Sequence, residues 1–263
     1  MSTLRLVLRL LHLFAVIALG ALLAAVISLG ERLARHDLLA LRQRISCWYL
    51  ARLAAVLPFR LHLQGERPQT AMLWVSNHVS WTDIPLLGLI APLSFLSKAE
   101  VRDWPLAGWL AHKAGTLFIR RGAGDSSALN AQLGERLQAG HSPLLFPEAT
   151  TTDGRAVRTF HGRLLSSAID NQVAVQPVAI RYRRNGERDD VAPFIGDDSM
   201  GAHLLRLLAC EVSDVEITLL PPIASHGLNR NELARRAQEV ISAVVLEAEV
   251  VAEVSEEEEG AAA

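Results

Sequence analysis

The chain has 263 residues, half of them hydrophobic, with 26 Lys and Arg against 28 Asp and Glu and a net charge of −2. That length suits one catalytic domain plus an appended segment, and the charge balance excludes the strongly basic signature of a nucleic-acid binder. Two cysteines far apart, Cys47 and Cys210, exclude a disulfide framework. Nine histidines without metal-ligand spacing argue against a metal site.

From Leu10 to Gly30 the chain runs 21 residues without Asp, Glu, Lys or Arg, about the length needed to cross a hydrocarbon core. A signal peptide has a shorter apolar region, roughly 7–15 residues, and a small-residue cleavage site. Here the run leads into Glu31-Arg32-Leu33, so the expectation is a membrane-embedded helix. In the next segment, Glu31 to Leu57, Arg32, Arg35, Arg42, Arg44 and Arg52 alternate with Leu38, Leu41, Ile45, Trp48, Tyr49 and Leu53. That pattern suits an amphipathic helix on anionic lipid, with Trp48 and Tyr49 at headgroup level. It equally suits a surface helix packed on the catalytic domain. Five arginines follow the apolar run and Arg5 and Arg9 precede it. The bias places the catalytic domain on the cytoplasmic face of the inner membrane, although two basic flanks leave a re-entrant anchor open.

Pro58 ends this second helix. Strand patterns follow at Leu61–Leu63, Ala71–Ser76, Leu93–Ser97, Gly115–Ile119, Pro143–Phe146, Val173–Tyr182 and Val215–Leu220. Between and after them, helix patterns cover Pro105–His112, Ser126–Ala139, Phe160–Ile169, Gly201–Cys210 and Asn229–Ala248. Alternation at this spacing predicts a layered α/β domain. The expected division is an anchor over 1–57, a catalytic domain over 58–250 and an acidic, small-residue tail over 251–263 that reads as disordered.

The most informative stretch is Asn77-His78-Val79-Ser80-Trp81-Thr82-Asp83. His78 follows a buried-strand pattern, and ligands collect at the carboxyl ends of strands in α/β sheets. A neutral imidazole can take a proton from a hydroxyl while a carboxylate fixes its tautomer. Five residues apart, the two would not share a helix face, so the pair needs a turn after the strand. Asp83 before Ile84-Pro85 also reads as a helix start. Ser80 offers a nucleophile in principle, but the chain contains no Gly-x-Ser-x-Gly elbow.

This stretch resembles the His-x4-Asp block of the lysophosphatidate acyltransferase family of glycerolipid O-acyltransferases. Three further blocks stand in the family's order. Gly115-Thr116-Leu117-Phe118-Ile119-Arg120-Arg121 matches Gly-x-x-Phe-Ile-x-Arg. Phe146-Pro147-Glu148-Ala149-Thr150 is similar to Phe-Pro-Glu-Gly-Thr, and Val175-Gln176-Pro177-Val178-Ala179-Ile180 to the last block. The resemblance implies a single mixed-sheet domain with helices on both faces, like glycerol-3-phosphate acyltransferase, behind the membrane-embedded and amphipathic helices. It implies catalysis by His78 and Asp83, and acceptor contacts from Arg121, Glu148, Thr150 and, with less weight, Lys98. Lys98, Arg102, Lys113, Arg120, Arg121, Arg155, Arg158 and Arg163 lie near these blocks and suit phosphate on a lipid head or on coenzyme A.

The implied reaction moves an acyl group from acyl-CoA or acyl carrier protein, as co-substrate, to a lysophospholipid hydroxyl. It needs no cofactor and no nucleic acid. The first reading of the acceptor is 1-acyl-sn-glycerol-3-phosphate, giving phosphatidate. The alternative is lyso-ornithine lipid, because Thr151-Thr152-Asp153-Gly154-Arg155 resembles that branch of the family and lacks an arginine after the Glu-Ala-Thr. A third reading, from another class, is a non-catalytic membrane lipid-binding protein. Ala149 replaces a glycine, so its backbone is expected not to adopt positive φ freely.

Overall fold

The computed structural model describes residues 2–33, 38–119 and 126–261, with side chains through Leu246. Two helices come first, α1 (Ser2–Leu33) and α2 (Leu39–Ala54). A sheet of eight strands follows: β1 (Phe59–Gln64), β2 (Leu73–Ser76), β3 (Leu93–Lys98), β4 (Leu117–Ile119), β5 (Ser142–Leu145), β6 (Val175–Arg184), β7 (Glu187–Arg188) and β8 (Ser213–Leu219). The order is β1-β8-β6-β2-β5-β3-β4, with β7 paired to β6. β6 pairs antiparallel with β7 and β8, and every other pairing is parallel. The sheet is therefore mixed, as expected.

Side-chain alternation assigns the two faces. Trp74, Leu144, Val178, Ile180, Val215 and Ile217 point to one side, where they meet Leu86, Leu87 and Ile90. These three belong to α3 (Asp83–Gly88) and the turn after it. Leu73, Val75, Leu145, Val175 and Ala179 point to the other side. There they pack on Leu129 and Leu133 of α6 (Ser126–Gln138), Ala168 of α7 (Ser166–Asp170), and Leu233 and Ile241 of α9 (Arg230–Ala261). β2, buried on both faces, reads in sequence as an unbroken apolar run for this reason. Two short helices, α4 (Ala99–Arg102) and α5 (Ala107–Lys113), link β3 to β4.

Three expectations change. The helix expected over Phe160–Ile169 begins only as a 3-10 turn at Gly162 before α7. The hairpin to β7 is additional, and its turn is Asn185-Gly186, both at positive φ. Beyond residue 250, where the composition suggests a disordered tail, α9 continues to Ala261, since Ala and Glu are good helix formers whatever their charge.

α1 is the one helix among the described residues long and apolar enough to cross a membrane. Val16, Gly20 and Ala24 form its buried stripe, while Leu4, Val7, Leu8, Leu11, Phe14, Leu22, Val26 and Leu29 are exposed. Its first half lies along α8 (Met200–Ala209), where Leu6, Leu10, Leu13 and Val16 pack with Leu204 and Leu208. Tyr49 covers Gly20, where a Cβ would sit 2.6 Å from its hydroxyl. Trp48 stays exposed, with the Arg52 guanidinium over its ring.

Candidate active site

The strand β2 ends at Ser76, and the chain turns through Asn77 to Thr82 before α3 begins at Asp83. Asn77 anchors the start of the turn. Its carboxamide exchanges two hydrogen bonds of 2.9 Å with the backbone of Ile180 on β6. Asp83 anchors the end. Its Oδ2 accepts from the amides of Val79 (2.8 Å) and Ser80 (3.1 Å) and from His78 Nδ1 (2.7 Å). The turn that the five-residue spacing requires is thus built by the same carboxylate that meets the histidine.

Asp83 is fully buried, and a buried carboxylate costs several kcal/mol unless its lone pairs are used. Oδ2 holds three donors, and Oδ1 takes the hydroxyl proton of Tyr182. That hydroxyl must then accept from Thr82 Oγ1, 2.8 Å away. Burial, reinforced by the Asp83 charge, holds the Tyr182 hydroxyl well above its ordinary pKa, so it stays a donor. Sequence reasoning missed Tyr182. It sits 99 residues from Asp83 on the strand next to β2, and nothing local marks it.

A carboxylate already accepting two amides receives the proton of Nδ1, which leaves Nε2 of His78 with its lone pair. The imidazole stacks on Phe146, ring centroids 3.9 Å apart, and its side chain keeps 18% exposure. His78 is therefore a sheltered base with one nitrogen available. Ser80 is fully buried, so it presents no hydroxyl for a covalent acyl intermediate.

Glu148 follows β5, the other neighbour of β2, and is buried. Its Oε1 accepts from the His78 amide at 2.8 Å and its Oε2 from the Arg158 amide at 2.7 Å. Burial raises its pKa, and those two amides oppose the rise. Each oxygen of Glu148 thus accepts from a backbone amide, and the one at Oε1 fixes the backbone of His78. Ala149 does take positive φ, at +60°, contrary to the expectation. The cost for a non-glycine residue is about 1–2 kcal/mol. Thr151 donates to the carbonyl of Phe194, and the amide of Thr152 donates to the His78 carbonyl.

Thr150 and Lys98 are exposed and make no hydrogen bond or ion pair among the described residues. Lys98 ends β3, in register with Ile119 of β4, so it stands two strands away from His78. Arg121 lies outside the described residues. The structure therefore brings His78, Asp83 and Glu148 together and leaves Thr150 and Lys98 on the open rim.

A family pattern described as acyltransferase matches residues 59–181, which spans all these blocks. The lyso-ornithine lipid O-acyltransferase of Pseudomonas aeruginosa is 61% identical over 92% of this chain and 93% of its own length. The 1-acyl-sn-glycerol-3-phosphate acyltransferase of Neisseria gonorrhoeae is 32% identical, over 68% of this chain and 71% of its own. The crystal structure of the 1-acyl-sn-glycerophosphate acyltransferase from Thermotoga maritima has the same fold, with a TM-score of 0.66 at 22% identity over 94% of this chain and 97% of that one. This chain belongs to the acyltransferase family, which sets aside the reading as a non-catalytic lipid-binding protein.

Proposed function

We propose that this enzyme transfers a fatty acyl group from an acyl thioester to the hydroxyl of lyso-ornithine lipid at the cytoplasmic face of the inner membrane. The observation that carries the chemistry is the His78 Nδ1 to Asp83 Oδ2 bond of 2.7 Å, which leaves Nε2 as a base. The acceptor rests on the 61% identity to an enzyme named for that lipid. The missing arginine at Thr151 agrees with it. This reverses the order of the two acceptors that the sequence alone suggested, in which lysophosphatidate came first.

In the reaction, Nε2 takes the proton of the acceptor hydroxyl as its oxygen attacks the thioester carbonyl. The tetrahedral intermediate then expels the thiolate of coenzyme A or acyl carrier protein, which leaves with the proton returned from His78. Asp83 stabilises the imidazolium while it exists. A general base of this kind contributes about 10²–10⁴-fold, and the rest comes from orienting two bound substrates.

The exposed side of α1 enters the lipid while its buried stripe keeps hold of the domain. Because α1 lies along α8 rather than projecting from the domain, an interfacial or re-entrant seat fits it better than a perpendicular span. The acceptor and product remain in that layer, and the thioester arrives from water. The test offers lyso-ornithine lipid and lysophosphatidate to the purified enzyme, each with acyl-CoA and with acyl carrier protein, and measures thiol release. Transfer to lyso-ornithine lipid is expected. Transfer to lysophosphatidate alone would overturn the acceptor and leave the His78 chemistry intact.

A further inference from the structure

We propose that Trp81 and His203 form a positioning pair for the catalytic turn, and that α8 carries the seating of α1 to that pair. The inference rests on His78 acting as the base.

Trp81 lies inside the turn, just after the three residues that Asp83 pins and before Asp83 itself. Its indole N–H donates to Nδ1 of His203, 3.0 Å away, with the rings edge-on at 6.2 Å. Nδ1 accepts, so the proton of a neutral His203 is on Nε2. That nitrogen points at the carbonyls of Val191 and Pro193, each at 3.1 Å. Both ring nitrogens are used, and His203 is fully buried. Burial, helped by the Arg206 charge and opposed by Asp198, lowers its pKa, which keeps this tautomer in place near neutrality.

The carbonyls that His203 holds belong to a segment that also holds the turn. Phe194 donates its amide to the Val79 carbonyl at 3.0 Å, its own carbonyl accepts from Thr151, and its ring stands edge-on to His203. Asp189, paired with Arg184, fixes the start of that segment through the amides of Val191 and Ala192. His203 therefore grips the residues around His78 at two points, Trp81 directly and Val79 through Phe194.

The rest of α8 meets α1. Leu204 and Leu208 pack on Leu6, Leu10, Leu13 and Val16. The Arg9 guanidinium donates to the carbonyls of Leu208 (2.8 Å) and Cys210 (2.6 Å), which would otherwise be unpaired at the helix end. Arg5 adds an exposed ion pair to Glu211. A helix of 10 residues is thus wedged between the lipid-facing helix and the catalytic turn. Displacing α1 moves α8, and with it His203, the side chain that holds Trp81.

Neither residue touches the reacting atoms, so a positioning role predicts loss in kcat with KM for both substrates kept. Misplacing a catalytic group by 1 Å costs about 10²-fold, and loosening the turn should cost on the order of tenfold. Trp81→Phe keeps the aromatic bulk and removes the N–H. It should lower kcat about tenfold, leave both KM values within twofold, and leave the protein folded and membrane-bound. His203→Leu should do the same. His203→Gln should restore most of the rate, because its carboxamide oxygen can accept from Trp81 while its NH2 group donates to Val191 and Pro193. Arg9→Met should lower kcat without releasing the protein from vesicles. Combined with Trp81→Phe it should add little, since both act through one strut. Wild-type kcat in Trp81→Phe, or a loss carried by KM, overturns the pair; full additivity with Arg9→Met overturns the link to α1. His78→Ala runs alongside as the control: if it remains active, the base assignment itself is wrong, whatever Trp81→Phe does.

Discussion

The carboxyl ends of β2 and β3 lie in one sheet and teach opposite lessons. At β2, every polar group of the catalytic pair except Nε2 of His78 has an assigned partner among the described residues. Asp83 holds four donors, Glu148 holds two amides, and Asn77 is doubly bonded to β6. At β3, Lys98 stands exposed with no partner among the described residues, and Thr150 at the end of β5 is the same. The tight end suits chemistry that tolerates little displacement. The open end has side chains left free among the described residues, where the resemblance places acceptor contacts.

Breaking the tight end should have the largest effect. His78→Ala should lower kcat by at least about 10²–10⁴-fold, the contribution of a general base, with the protein still folded. Asp83→Asn should be comparably severe in kcat. Its NH2 group cannot accept from the amides of Val79 and Ser80, so the melting temperature should fall as well. Circular dichroism on both variants separates loss of chemistry from loss of the turn.

Tyr182→Phe removes one hydrogen bond to a buried charge, worth about 1.5–3 kcal/mol. Loss of stability by that amount with a fall in kcat is expected, and chemical denaturation with steady-state kinetics measures both. An unchanged kcat would limit Tyr182 to stability.

Glu148 sharpens the comparison through pH. Burial raises its pKa in the folded chain, so the unfolded chain ionises first as pH rises. The folded state then loses stability across the window from the ordinary glutamate range up to the raised value, and regains none above it. Glu148→Gln abolishes that titration but loses one acceptor for the amides of His78 and Arg158. The variant should be less stable than the wild type at acid pH, and the gap should narrow as pH rises. Parallel unfolding curves at several pH values test the sign.

At the open end the effects should be smaller and specific to the acceptor. Lys98→Ala should change acceptor KM by a few-fold and leave kcat nearly constant. The smallest effect concerns Ala149. Glycine there would relieve about 1–2 kcal/mol of left-handed strain and return about 0.4–1 kcal/mol of unfolded-state entropy. Ala149→Gly should therefore stabilise the protein by about 1 kcal/mol or less, with activity unaltered.

Seven of the eight strands beyond Pro58 are legible, because alternation and apolar runs report burial directly. The eighth, β7, was signalled by Asn185-Gly186, a turn pair that the strand patterns overshadowed. His78 and Asp83 were legible because five residues of one turn contain both. The positive φ of Ala149 is not legible locally, because the hydrogen bonds of Glu148 and Thr151 on either side of it join residues far along the chain.

The amino-acid sequence by itself determined the layered α/β class, the apolar first helix and the His-x4-Asp pair, because each depends on residues close along the chain, while the acyl-transfer chemistry follows from the resemblance of four blocks to a family. Only the tertiary structure decided what holds that pair. Tyr182, Glu148 and His203 stand 99, 70 and 122 residues from the partners they meet in the turn. They arrive there because β6 and β5 flank β2 and because α8 is seated against α1. Strand order and helix seating bring distant residues together, and no local pattern encodes which distant side chain completes a buried carboxylate.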